Sequence, residues 1–454
     1  MRPSAAAMPR GALLALPRNV SAGALVLAIA LPIVFLHVNY QPSLKAGPAT
    51  VKLSDVMVLA VALAAVAALR TGHLARLRPG VPVWTAAILF LAWIGAETLL
   101  PLGSSHAYPF RTHVVTAGEF AVYAVLAPAV PLLVRRRADA LLVLGTLIAW
   151  SVAATLVGVL QWCGWEIAAG WGQGQREPSF LGTQDFAGYS GMVLAIGLVS
   201  LLFGASGAVR KAAWVAIVSG GIGFAIGGAS SGVIGLLPAV AIALFVTVRR
   251  GSPRRAAVVA VVAATVLASL SVVVYRSGDF GHFFSFIGAR HTSAAASKNI
   301  QTYPQHTLLA YIGLRIWERH PIVGAGFEAS NDYATYGPEL PAAHRRFPTV
   351  APGAFPTASR SFGVQDLYVQ TLADLGIVGL ALLTALFVAG AWPAFTAALS
   401  AIAPAAFPAL LGLVWLVLAA GLWSAQGIIA GIPLDAITWL GFGAAATRTV
   451  DWSA

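Results

Sequence analysis

The stretch from 276 to 370 concentrates the side chains that could do chemistry. It holds five of the nine histidines and most of the basic residues outside the short loops, namely Arg276, Arg290, Lys298, Arg315, Arg319, Arg345, Arg346 and Arg360. Arginine binds phosphate groups through paired hydrogen bonds, and a histidine or carboxylate can take a proton from a hydroxyl group. A stretch this long and this polar is predicted to be more than a passive connector.

A short amphipathic helix is predicted inside this stretch, at the membrane surface and ended by Pro321. One helical face is apolar and consists of Leu308, Leu309, Ile312 and Ile316. Arg315, Glu318 and Arg319 share another face, because residues three and four apart are neighbours on a helix. These arginines either bind an anion or form a solvated face, where an Arg315–Glu318 pair contributes only about 0.2–0.5 kcal/mol.

The elements that must position these residues are membrane helices. Of the 454 residues 58% are hydrophobic and 10% charged, with a mean hydropathy of +0.81, whereas soluble domains carry about a quarter charged residues. The apolar runs are long and do not alternate, which favours helices over barrel strands. The formal charge of +12 is scattered in short clusters between these runs, which is typical of membrane topology and not of a nucleic-acid surface.

Twelve apolar segments are long enough to cross about 30 Å of hydrocarbon. The glycines around 220–228 either weaken the seventh and eighth segments or let them pack closely. The predicted spans are 21–38, 53–69, 82–100, 116–133, 138–160, 186–204, 212–227, 231–248, 256–275, 375–395, 405–424 and 428–446.

The distribution of Lys and Arg among the short loops predicts the orientation. Alternate loops are rich in arginine, as at 135–137 and 249–255, and the intervening loops carry few basic residues. Both termini are therefore predicted to be cytosolic, with an uncleaved first helix. The predicted organisation is helices one to nine in 1–275, an external catalytic loop in 276–370, and helices ten to twelve in 371–454.

Six short motifs lie near the ends of these spans. They are Lys52-Leu53-Ser54-Asp55, Glu119 with Tyr123, Val159-Leu160-Gln161, the segment 176–187, the turn from His320-Pro321 to Phe327, and the segment 365–380. In this order and placement they resemble the O-antigen ligase and O-antigen polymerase superfamily of bacterial envelope enzymes. The resemblance covers residues 50 to 395.

The resemblance implies an all-α polytopic enzyme of the bacterial inner membrane. Such an enzyme moves a glycan from a polyprenyl-diphosphate carrier to a sugar or glycolipid acceptor, in surface polysaccharide or lipopolysaccharide biosynthesis. The segment 176–187 resembles the one that supplies an essential arginine, so Arg176 is the first candidate for binding the diphosphate. Arg315 and Arg319 are the second.

The base implied by the resemblance is Asp366. Where the family's ligases carry a His-Asn pair this chain has Gln365-Asp366, which makes a polymerase as plausible as a ligase. Substitutes from the same loop are His344, Glu328 and Asp332. Each candidate also has a structural alternative: Asp366 is a preferred N-cap residue, and Arg176 could reach lipid headgroups as a lone interfacial arginine.

A different class of function remains open, because a transporter or lipid flippase would also explain a helical bundle. Three acidic residues in the apolar spans, Glu97, Glu119 and Asp435, fit either an acceptor path or contacts between helices. No nucleotide fingerprint or zinc spacing is visible, so neither a cofactor nor a metal is predicted. The expected partners are the lipid-linked donor, the acceptor and membrane lipids.

Overall fold

The chain is an all-helical membrane protein. The computed structural model describes residues 20–46, 49–104, 108–168, 176–251, 254–279, 281, 302–400, 403–427, 432–448 and 450. Two short antiparallel strands, β1 (Ser43–Ala46) and β2 (Ala49–Lys52), form a hairpin before α2. The helices are α1 (Ala22–Val34), α2 (Leu53–Arg70), α3 (Val81–Leu99), α4 (Phe110–Tyr123), α5 (Leu126–Leu133), α6 (Arg137–Trp162), α7 (Thr183–Leu202), α8 (Gly207–Gly227), α9 (Ser230–Arg249), α10 (Arg255–Tyr275), α11 (Thr302–Arg319), α12 (Tyr333–Tyr336), α13 (Leu340–Arg346), α14 (Leu367–Ser400), α15 (Ala403–Leu422) and α16 (Ile432–Ala446).

Among the described residues, ten helical segments are long and apolar enough to cross a membrane. All twelve predicted spans coincide with helices, but α1 has 13 residues and α16 has 15. At 1.5 Å per residue these two rise only about 20 Å each, so the count of twelve spans stays a prediction. The qualifying segments are 53–70, 73–99, 110–133, 137–162, 183–202, 207–227, 230–249, 255–275, 367–400 and 406–425.

Helix α7 is the centre of the bundle, and its whole apolar window is buried inside the protein. It packs against α8 at very short range. A Cβ added at Gly220 would lie 2.6 Å from the backbone nitrogen of Leu194, and one at Gly223 would lie 2.4 Å from Ser190 Oγ. Close helix packing is therefore the correct interpretation of the glycines in α8.

The helices alternate in direction, so their ends fall on two faces. On one, the arginine face, basic side chains tie neighbouring helix ends together: Arg76 Nε donates to Pro131 O at 2.8 Å, and Arg250 Nη1 donates to Ala398 O at 2.7 Å. The opposite face, here named the loop face, carries the ends of α6, α8 and α10 and the starts of α7, α9 and α14. The described part of the 276–370 stretch packs there.

The predicted amphipathic helix is confirmed as α11. Its apolar face is buried, with Leu308, Leu309, Ile312 and Ile316 each no more than 3% exposed. Leu308, Ile312 and Ile316 form a small second core with residues from α12, α13 and the following segment, namely Tyr336, Ala343, Phe347 and Phe355. The stretch therefore has a hydrophobic core of its own.

The turn after α11 docks on a break in α14 by exchanging backbone hydrogen bonds. Ala325 and Gly326 donate to the carbonyls of Ala373 and Asp374, and Ile377 and Val378 donate to those of Pro321 and Ile322. The break lies at Gly376, whose φ is +65°, and Gly324 has φ +81°. A Cβ at Gly376 would lie 2.1 Å from Ile322 O, so only glycine fits this junction. The exchange satisfies backbone groups that the break frees from the helix.

Candidate functional site

Arg176 is held in place by the motif at the end of α6. Gln161 Oε1 accepts from the Ser179 backbone N–H at 2.7 Å, and Gln161 Nε2 donates to Ser179 O at 3.1 Å. The Ser179 hydroxyl donates to Ala154 O at 2.7 Å. Two motifs of the sequence, 159–161 and 176–187, therefore meet in the fold, and their contact orients the segment that carries Arg176.

The Arg176 guanidinium is buried at the junction of α8 and α9. The residue is 8% exposed, and its Nε donates to Gly227 O at 3.0 Å, at the C-terminal end of α8. Its Nη2 has no hydrogen-bond partner among the residues that the structure describes. Burial, and then the positive charge of Arg276, lower the pKa of Arg176 to about 9. A buried cation without a paired carboxylate is costly and favours an anionic ligand.

Arg276 is the second buried cation of this site. It follows the last residue of α10, is 6% exposed, and its Nε lies 2.7 Å from Asp279 Oδ2. Arg276 therefore has a carboxylate partner on its own segment. Its positive charge acts on Arg176, and each guanidinium offers the fork of N–H donors that binds phosphate.

His306 joins the two arginines from the first turns of α11. Its Nδ1 lies 3.2 Å from Gln365 O, and the positive charges of Arg176 and Arg276 both act on the ring. Burial, followed by these two charges, lowers the pKa of His306 against the opposing effect of the Gln365 carbonyl. The ring is therefore kept neutral beside two cations.

Asp366 lies next to this group and caps α14. Its Oδ1 accepts from the Val369 backbone N–H at 2.9 Å, the geometry of an N-cap. Burial raises the pKa of Asp366, partly opposed by hydrogen bonds from the backbone of Val369 and Tyr368. The capping alternative is thus realised, and a catalytic role for Asp366 stays a prediction.

A carboxylate network lies one to two turns further along α14. Gln370 Nε2 donates to both Glu328 Oε1, at 2.9 Å, and Asp374 Oδ2, at 3.1 Å. The fully buried Asp374 also accepts from the Ser330 backbone N–H at 2.7 Å. Burial raises the pKa of Glu328. The network connects Glu328 to the same helix as Asp366, on the side where the loop turn docks.

Asp332 belongs to the rim of this network. Its carboxylate lies 3.1 Å from Nε2 of the buried His113, and the His113 ring stacks on Tyr108. The Tyr108 hydroxyl donates to Phe327 O at 2.6 Å. Asp332 therefore helps to fasten the loop to the start of α4.

Arg315 and Arg319 are engaged elsewhere. Arg319 Nη2 lies 2.8 Å from Oε1 of Glu339, which is 1% exposed, and Arg315 pairs with Glu318 and, at 3.6 Å, with Glu339. Arg315 lies nine positions after His306 along α11, a rise of about 13.5 Å. The structure therefore does not bring this pair to Arg176 but uses it to neutralise a buried carboxylate.

His344 is exposed on α13, where its ring stacks on Phe355 with centroids 3.8 Å apart. Its described contacts lie in the second core and not beside the arginines. No group of three His, Cys, Asp or Glu side chains in the described ranges is arranged to hold a metal ion.

The acidic residues of the spans lie toward the loop face. Glu119 is 3.6 Å from Lys52 Nζ, and Glu97 is fully buried near the end of α3. Asp435 lines an apolar pocket with Phe90, Trp439 and other side chains. The ion pair between Glu119 and Lys52 agrees with a structural role for Glu119, as a contact between α4 and the start of α2.

Arg276 and His306 are site residues that the sequence did not predict. A signal for Arg276 was available, because it ends the apolar run of α10 and helix alternation puts that end beside the segment of Arg176. His306 had no such signal, since its neighbours Arg176, Arg276 and Gln365 come from three other segments of the chain.

No protein-family model matches the chain, and no curated protein matches it at a significant level. The resemblance to the O-antigen ligase and polymerase superfamily therefore rests on the six motifs alone.

Proposed function

We propose that the protein is a membrane glycosyltransferase that takes a glycan from a polyprenyl-diphosphate carrier and passes it to a sugar or glycolipid acceptor. The observation that carries the proposal is the buried guanidinium of Arg176, without a paired carboxylate among the described residues and next to Arg276. Diphosphate is the leaving group of this reaction, and two arginines neutralise it as the bond to the sugar breaks.

Access for a lipid carrier is available along α10. The helix leads directly to Arg276, and its last turns expose Leu270, Val273 and Val274. A polyprenyl chain lying against this apolar surface would place its diphosphate at the level of the two arginines. A soluble nucleotide-sugar would gain nothing from such a surface.

The proposed placement has the loop face outside the bacterial inner membrane and the arginine face in the cytosol. The concentration of Lys and Arg on the arginine face supports it. In this arrangement α1 and α16 complete twelve spans, and both termini are cytosolic. The site then opens where lipid-linked glycans of the cell envelope are joined.

The test is transfer in liposomes, with a polyprenyl-diphosphate-linked oligosaccharide as donor and a set of glycan and glycolipid acceptors. Wild type is expected to release polyprenyl diphosphate in step with transferred glycan, and Arg176→Ala to lose both. Arg319→Ala is the control, because Arg319 pairs with Glu339 outside the site. Movement of labelled lipid across the bilayer without any transfer would replace the proposal with a flippase.

A further inference from the structure

His306 is oriented as a proton acceptor by a single backbone contact. A carbonyl oxygen can only accept a hydrogen bond, so the 3.2 Å contact with Gln365 O requires His306 Nδ1 to carry the proton. The lone pair of the neutral ring is then on Nε2. We infer that His306 is the general base that takes the proton of the acceptor hydroxyl, an inference that rests on the proposed transferase function.

The charged groups around His306 oppose protonation of its ring before the donor binds. The groups that act on the ring are Arg176, Arg276 and the Gln365 carbonyl, with Asp279 behind Arg276 and Tyr303 on the same helix. Two cations oppose protonation in the resting enzyme. When a diphosphate anion binds them, its negative charge favours the imidazolium, so donor binding strengthens the base at the step that uses it.

Asp366 is less suited to this task, although it is close. Its Oδ1 accepts the Val369 N–H and stabilises the first turn of α14. Asparagine caps a helix about as well as aspartate. The substitution Asp366→Asn therefore removes the acid and leaves the helix start intact, which separates the two candidates.

The step balances as a displacement at the anomeric carbon. The acceptor oxygen forms the new bond to that carbon while its proton passes to His306 Nε2. The bond from the anomeric carbon to the diphosphate oxygen breaks, and its electron pair stays on the diphosphate, held by Arg176 and Arg276. The proton then leaves His306 for solvent or for the departing polyprenyl diphosphate.

The experiment compares His306→Asn with Asp366→Asn and with His320→Asn, a control from the end of the same helix. Transfer is measured with the lipid-linked donor, and donor affinity is measured separately by polyprenyl diphosphate binding. We expect His306→Asn to lose on the order of 10²- to 10⁴-fold in kcat while its affinity for polyprenyl diphosphate is retained. In His306→Gly, added imidazole is expected to restore part of the rate.

The pH profile gives a second readout. Wild-type kcat is expected to fall as the pH drops below the ordinary histidine pKa of 6.5, because a protonated ring accepts no proton. That decline is absent from the residual activity of His306→Asn if the inference is correct. Full activity of a folded His306→Asn, or loss of transfer in Asp366→Asn alone, would overturn the inference and leave the transferase standing. Absence of transfer in wild type would remove both.

Discussion

The substitution Arg176→Met is expected to make the ligand-free protein more stable and worse at binding a diphosphate. Arg176 is buried, uses only Nε in a described hydrogen bond, and has no carboxylate partner among the described residues. Burial of an ion carries a desolvation cost of several kcal/mol, and even buried ion pairs are often replaced by apolar side chains of similar volume with a gain of up to about 1–4 kcal/mol. Loss of the hydrogen bond from Arg176 Nε to Gly227 O reduces this gain by about 1 kcal/mol.

The affinity for diphosphate changes in the opposite sense. A hydrogen bond from a charged group contributes about 1.5–3 kcal/mol, so losing one weakens binding on the order of 10- to 150-fold. Melting of the purified protein in detergent, followed by tryptophan fluorescence, measures both effects. Polyprenyl diphosphate is expected to raise the wild-type Tm by mass action and to raise that of Arg176→Met far less.

Arg319→Met is the matched control. It removes a cation from buried Glu339, so it is expected to lower the ligand-free Tm and leave the response to diphosphate unchanged. If Arg176→Met lowers the Tm and keeps the wild-type response to diphosphate, Arg176 is a structural residue and the reasoning about the anion site is refuted.

Three further predictions concern the supports of the site. Gly376→Ala places a side chain at φ +65° against Ile322 O and is expected to cost about 1–3 kcal/mol or more in thermal unfolding, whereas Gly95→Ala, with open space around it, is expected to be neutral. Gln161→Ala leaves the Ser179 backbone N–H and C=O without their hydrogen-bond partner. Transfer activity and Tm are both expected to fall. Unchanged activity would mean that Arg176 does not depend on this contact for its orientation. Burial raises the pKa of Glu328 above 4.5, so the unfolded state loses its proton first and stability falls as pH rises above that value. Melting curves across pH should show this decline in wild type and a smaller one in Glu328→Gln.

The buried arginine is the reason to expect that an anionic ligand stabilises the protein. A cation taken out of water without a partner raises the free energy of the folded protein, and under the proposed function a bound diphosphate would offset that cost. The neighbouring Glu339 cluster shows the opposite arrangement, in which two arginines neutralise one buried carboxylate. The two clusters lie on the same face, and they differ in that a buried carboxylate pairs with Arg315 and Arg319, whereas no described carboxylate pairs with Arg176.

The sequence by itself determined the helices and their order. Long apolar runs can satisfy their backbone in a bilayer only as helices, so all twelve predicted segments appear as helices, and the spacing of four apolar residues specified α11. These features depend on neighbours within a few residues along the chain. The glycines of α8 left weakened segments and close packing both open, and the structure decided for close packing.

Only the tertiary structure decided which polar groups meet. Arg176, Arg276, His306 and Gln365 come from four segments up to 189 residues apart. Helix alternation indicates only that Arg176 and Arg276 lie on the same face, and nothing in the local sequence adds His306 to them. In the same way, Arg315 and Arg319 matched an anion-binding pair until the fold placed Glu339 against them. The partner of a charged side chain is set by the packing of distant helices, which the local sequence does not contain.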